Sequence, residues 1–165
     1  IRITIAGDGA RKLFLKQEVS RRRLSNVVLL DFLPEDEYQK LLQSADLGVV
    51  TLEPQMTGLG VPSKTYNMLA MGVPILAILE PESEVARIVK EVGCGYRIAP
   101  GDSRDLANKI LEAYHHRERL KEMSLAARKY AEQHASLTQV ADAYVQEIYK
   151  CFFSAYDRQP QNCRT

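Results

Sequence analysis

At 165 residues the chain can bury one substantial core, which bounds it to a single domain or a large piece of one. Hydrophobic residues at 45% and charged residues at 26% give an ordinary globular balance, and a formal net charge of +1 makes no global case for nucleic acid or an anionic membrane, so any specificity has to be local. Cys94, Cys151 and Cys163 lack C-x-x-C spacing and fit free thiols of a reducing cytosol better than a disulfide framework, while His115 and His116, turned about 100° apart on a helix, are a poor metal pair.

In "IRITIAG" the residues Ile1, Ile3 and Ile5 alternate with Arg2 and Thr4, then Gly7-Asp8-Gly9 follows, as in a strand ending at a tight turn. A charged helix is expected over residues 10–23. "NVVLLDFL" is a second strand, bounded by Asn26 and Pro34, and Tyr38, Leu41, Leu42 and Ala45 then form the stripe of a short helix. "DLGVVTL", "VPILAIL" and "CGYRIA" are further strands. Between the first two of these, Tyr66, Leu69, Ala70 and Val73 are the expected buried stripe of a helix, and between the last two Val85, Ile88, Val89 and Val92 repeat it, ended by Gly93. Apolar strands separated by helices imply a Rossmann-like α/β domain with a parallel sheet of about five strands.

The last third carries helices only, over residues 103–115, 119–133 and 137–153. In the third, Val140, Tyr144, Ile148 and Phe152 recur every four residues and are expected to pack in the core for most of its length. Residues 154–165 are polar, contain Pro160 and are expected to be a disordered tail. No apolar run reaches the roughly 18 to 20 residues that span a bilayer, and the opening lacks the regions of a signal peptide, so a soluble chain is expected.

Two stretches can carry chemistry. Gly7-Asp8-Gly9 lies where a dinucleotide fold puts its phosphate loop, but the third glycine of that fingerprint is replaced by Lys12, and Asp31 is the only acid near the end of the next strand. The turn therefore makes no case for hydride transfer. "GLGVPSKTYNMLAMGVP", residues 58–74, is more informative. Gly58 and Gly60 leave backbone N–H groups unobstructed, Ser63 is expected to cap a helix, and Lys64 adds a full positive charge to the partial one at the helix start. A cation there opposes the helix dipole, and an anionic ligand would reverse that penalty. The loop also follows a strand's carboxyl end, where open α/β sheets bind ligands.

In order, "IRITIAGDGA", "NVVLLDFLPEDEYQKLLQSADLGVVTL", "GLGVPSKTYNMLAMGVPILAI" and "VKEVGCGYRIAPGDSRDLANKILE" resemble the C-terminal half of the group 1 glycosyltransferases, two-domain GT-B enzymes, over roughly residues 1–150. The resemblance implies a nucleotide-sugar-binding domain, residues 1–153, transferring a sugar from a nucleotide diphosphate sugar, usually with retention and with no required metal or other cofactor. Gly58, Leu59, Gly60, Val61 and Ser63 would offer amides to the diphosphate and donor sugar, and Lys64 would stabilise the departing diphosphate. Asn67 stands where many members have the second glutamate of a Glu-x7-Glu motif, and Leu59 where they have the first. Phe32 and Leu33, within residues 31–34, would meet the base through backbone contacts. Gly7, Asp8 and Gly9 would lie near the cleft floor.

The resemblance also implies what accompanies this domain. Relatives have a Gly-Arg strand and a Lys-Gly helix before the equivalent of Ile1, and an N-terminal acceptor domain. The chain is accordingly expected to be a fragment, inactive alone, whose sheet exposes two edges that upstream residues or a second copy would cover. Expected partners are the nucleotide-sugar, the N-terminal domain and, through it, a carbohydrate or lipid-linked acceptor, but no nucleic acid. A cytoplasmic place follows, with peripheral association at the inner face of a membrane. A non-catalytic phosphate- or protein-binding module and half of a sugar-nucleotide epimerase are the alternatives.

Overall fold

Of the isoleucines that alternate at the start, Ile3 and Ile5 fall on a strand. The computed structural model describes residues 1–156, apart from the side chains of residue 54 and residues 153–156. The elements are β1 (Ile3–Ala6), α1 (Lys12–Arg21), β2 (Val27–Leu30), α2 (Glu35–Gln43), β3 (Gly48–Thr51), a 3-10 turn (Pro54–Met56), α3 (Lys64–Ala70), β4 (Ile75–Ile78), α4 (Glu84–Val92), β5 (Gly95–Ile98), α5 (Ser103–His115), α6 (Arg117–His134) and α7 (Leu137–Tyr156). Strand and helix alternate as expected, and every strand pair is parallel. α7 runs three residues past the expected boundary at 153, and the rest of the expected tail, with Pro160 and Cys163, lies outside the described residues.

One difference concerns the sheet. The five strands form two sheets, β1-β2 and β3-β4-β5, rather than one. β3 and β1 thus each have only one neighbour among the described residues. Parallel strands become buried when helices and further strands cover them from both sides. β4, with a strand on each flank, is almost wholly buried, whereas β1 is exposed along its length and β2 is half-buried.

The core is built on the three-stranded sheet. On one face Val50, Ile75 and Ala77 meet Met68 and Leu69 of α3, Val85, Ile88 and Val89 of α4, and Ala127 and Ala131 of α6. On the other, Leu76, Tyr96 and Ile98 meet Ala113 of α5 and Leu120 and Met123 of α6. Alternation along β4 sends Ile75 and Ala77 one way and Leu76 the other, as a pleated strand requires. Gly95 marks the closest approach: a Cβ there would lie 2.0 Å from the Ile75 carbonyl oxygen. α6 also ends α3, because the Arg128 guanidinium donates to the Ala70 carbonyl at 2.5 Å, placing a cation at the negative end of that helix.

Two expected burials are corrected. On α3 the inward residues are Thr65, Met68 and Leu69, followed by Val73, while Tyr66 and Ala70 are exposed. The buried stripe begins one residue earlier than expected, at Thr65. On α7 all side chains from 137 to 152 are exposed, including Tyr144 at 69% and Phe152 at 76%. Its apolar seam exists but has no core to enter.

Candidate functional site

Loop 52–63 leaves the carboxyl end of β3, and its shape follows from its sequence. Leu59 N–H donates to the Met56 carbonyl at 3.1 Å, and Gly58 between them adopts φ 81°, a left-handed conformation that glycine enters without a side-chain clash. Leu59 is then turned out to solvent, at 75% exposure. Val61 and Pro62 are half-buried, and Val61 packs against the core, which pins the far end of the loop.

Helix α3 starts differently from expectation. Ser63 already has helical angles, φ −57° and ψ −31°, and its hydroxyl caps nothing. The first turn closes instead through the backbone, with Thr65 N–H donating to the Pro62 carbonyl at 2.9 Å and Tyr66 N–H to the Ser63 carbonyl at 3.1 Å. A capping serine needs extended angles for its oxygen to reach back to the amides, and Pro62 has already directed the chain into the helix. The amides of Gly60, Val61, Ser63 and Lys64 accordingly have no hydrogen-bond acceptor among the described residues.

Lys64 and Asn67 are three residues apart and therefore share one face of α3, opposite Thr65, Met68 and Leu69. Both are exposed. The Lys64 ammonium makes no ion pair among the described residues. The Asn67 amide group makes no side-chain hydrogen bond there, leaving both its donor and its acceptor open. The Thr65 hydroxyl, fully buried, has no hydrogen-bond partner among the described residues.

The second group of residues sits at the carboxyl ends of β1 and β2. Gly7 N–H extends the ladder to the Leu30 carbonyl at 3.2 Å. One Asp8 carboxylate oxygen accepts from the Phe32 N–H at 2.8 Å, and the other binds the Lys12 ammonium, which also binds Asp31. The Lys12 ammonium and then the Phe32 amide hold the Asp8 carboxyl below its usual range, while Asp31 and then Asp8 raise Lys12. Phe32 projects its ring into solvent, at 77% exposure, and Leu33 is half-buried.

Residues 7–9 and 31–33 are thus brought together, through Asp8. No hydrogen bond or ion pair among the described residues joins them to loop 58–67. Lys12, which sequence reasoning treated only as a break in a fingerprint, is the centre of this second group. Its position four residues after Asp8, at the start of a helix, was the available signal. Two cavities of about 750 and 670 Å³ lie around β5, α4, α5 and α6 and include none of these residues. Both groups are open surfaces carried on strand ends.

The fold and the loop define a class of parallel α/β domain, one whose amides and cation beyond a strand's carboxyl end have no partner among the described residues. The chain belongs to a particular family within it, the group 1 glycosyl transferases, whose family model matches residues 1–116. It is 39% identical over 106 residues to the probable glycosyltransferase WbjE of Pseudomonas aeruginosa, covering 64% of this chain and 26% of that protein. Among solved structures, the fold is similar to Anabaena HepE in complex with UDP-glucose, with a TM-score of 0.73 and 20% identity over 90% of this chain and 41% of HepE. It is also similar to the sucrose-phosphate synthase of Thermosynechococcus elongatus, with a TM-score of 0.72 and 17% identity over 92% of this chain and 38% of that one. For WaaG, a glycosyltransferase involved in lipopolysaccharide biosynthesis, the TM-score is 0.62 at 20% identity, over 79% and 34%. The chain therefore spans a quarter to two fifths of the length of these relatives.

Proposed function

We propose that the chain is the donor-binding domain of an enzyme that moves a sugar from a nucleotide diphosphate sugar to a carbohydrate or lipid-linked acceptor, with retention of anomeric configuration. The observation that carries this reading is that, among the described residues, the Lys64 ammonium has no ion-pair partner and the amides of Gly60, Val61 and Ser63, in the loop that leads into Lys64, have no acceptor. Charge develops on the diphosphate as the glycosidic bond breaks, and donors already in place stabilise it without reorganising. Lys64 and these amides would do so, with no metal called for. Asn67, one turn along the same face, would exchange hydrogen bonds with ribose or sugar hydroxyls. The HepE complexes with UDP and UDP-glucose support a nucleotide-sugar as the ligand class for this fold.

At the base, the Phe32 N–H is already held by Asp8. Base recognition therefore falls to the Phe32 ring and carbonyl and to the Leu33 main chain. Residues 1–153 would form this domain. The free edges of β1 and β3 would receive a further parallel strand between the two sheets, and an acceptor domain would complete the cleft. A lipid-linked acceptor would bring the full-length enzyme to the cytoplasmic face of a membrane in polysaccharide biosynthesis. Among the described residues no helix is long and apolar enough to cross one.

Incubating the full-length protein with a panel of nucleotide diphosphate sugars and acceptors, and following the anomeric coupling of the product by NMR, tests the reading. A glycosylated acceptor with the donor's configuration is expected. A donor changed only at a sugar carbon would mean epimerisation and would overturn it.

A further inference from the structure

The net charge of +1 conceals an uneven distribution. Between Arg11 and Arg23 six cations, Arg11, Lys12, Lys16, Arg21, Arg22 and Arg23, stand against one carboxylate, Glu18. Helix α1 turns Lys12, Leu15, Glu18 and Val19 partly inward and leaves Leu13, Phe14, Lys16, Gln17 and Arg21 in solvent. At 3.6 residues per turn, Leu13, Gln17, Arg21 and Phe14 occupy the outward arc, with Lys16 on the flank beside Leu13. Leu13 is 74% exposed and Phe14 51%, and the Arg11 guanidinium lies 5.4 Å from the centre of the Phe14 ring. Arg21 and Arg22 both bind Glu18, which neutralises the only acid on the helix. Arg11, Lys16 and Arg23 make no ion pair among the described residues.

We propose that this face of α1 docks on the surface of an anionic lipid bilayer. Leu13 and Phe14 would enter the headgroup boundary, and Arg11, Lys16, Arg21 and Arg23 would meet lipid phosphates around them. A short helix with apolar residues flanked by cations lies in the plane of an interface in this way, and anionic lipid supplies the complementary charge. A nucleic-acid backbone would satisfy the cations but would leave Leu13 without an apolar partner. The docking also has a use: α1 begins three residues after Gly9, so the turn that carries Asp8 would be held near the bilayer, where a lipid-linked acceptor resides. The inference deepens the membrane part of the reading above, yet vesicle binding requires no sugar donor, so it can fail while sugar transfer stands.

The test is cosedimentation of the full-length protein with vesicles of phosphatidylcholine alone and of phosphatidylcholine with phosphatidylglycerol, over a range of salt. Binding to the anionic vesicles that weakens as salt rises is expected. Lys16→Gln with Arg23→Gln should lower it by at least tenfold, each surface cation being worth about a factor of five. Leu13→Ser with Phe14→Ser should lower it comparably. All four side chains are exposed, so thermal melting should be unchanged in both variants. Equal binding to neutral vesicles, unaltered binding by either pair of variants, or tighter binding to duplex DNA than to anionic vesicles would overturn the proposal.

Discussion

Lys12 and Asp31, nineteen residues apart, are joined by an ion pair that Asp8 shares from the other side. This ties the turn after β1 to the turn after β2, and Asp8 completes the link by accepting from the Phe32 N–H. The pH dependence has a definite sign. Asp8 is depressed from 3.8, so its contribution is present above that value and is lost as pH falls through its lower folded value. Lys12 is raised from 10.5, so its contribution is present below that value and is lost at still higher pH. Hydrogen exchange at the Phe32 amide, taken relative to the intrinsic amide rate at each pH, should be slow through the neutral range and faster in strong acid. Lys12→Met should accelerate it several-fold at neutral pH, because the Asp8 carboxylate loses its second partner. Unchanged exchange would show that Asp8 holds Phe32 without Lys12.

Gly95→Ala should be far more costly than Gly58→Ala. The first places a Cβ 2.0 Å from a carbonyl oxygen in the sheet, where no flexible side chain can give way. A loss of about 3 kcal/mol or more in urea unfolding is expected. The second has open space around it and only the strain of φ 81° to bear, about 1 to 2 kcal/mol. Similar losses for the two would contradict the packing described.

Thiol chemistry should separate two cysteines. Burial pushes the Cys94 thiol up to about 11, whereas Cys151 is exposed on α7. Alkylation followed by peptide mass spectrometry should label Cys151 in the native protein and Cys94 only after unfolding, since the thiolate is the reactive species.

The outward seam of α7 should drive self-association of the 165-residue chain. Exposed apolar residues in a row make a sticky patch. Tyr144→Gln with Ile148→Gln should shift light scattering toward the monomer and leave the melting temperature unchanged, because neither side chain touches a core. A lowered melting temperature would mean that α7 is packed.

Much of the fold was legible because the signals were local. Each strand followed its apolar run, and α4 stopped at Gly93, which takes the left-handed conformation of a helix C-terminus. What was not legible depended on neighbours. The Val140, Tyr144, Ile148 and Phe152 seam has perfect helical spacing, but spacing cannot say whether a core lies opposite. Alternation in β1 did not reveal that the strand would have one neighbour among the described residues, an exposed edge that the family resemblance alone implied. At the site, the exposed Lys64 and Asn67 face was foreseeable from their spacing, whereas the failure of Ser63 to cap reflects the backbone path set by Pro62. Lys12 was misjudged because its partner Asp31 comes from the next strand.

Lys64 is the centre of the account, and calorimetry measures it most directly. The full-length protein, titrated with uridine, guanosine, adenosine and thymidine diphosphates, should bind at least one of them. Lys64→Ala should weaken that binding about tenfold to a hundredfold, the worth of a hydrogen bond to a charged group, with the melting temperature unchanged because the side chain is exposed. Binding of none of the diphosphates, or equal affinity in the wild type and Lys64→Ala, would contradict the account.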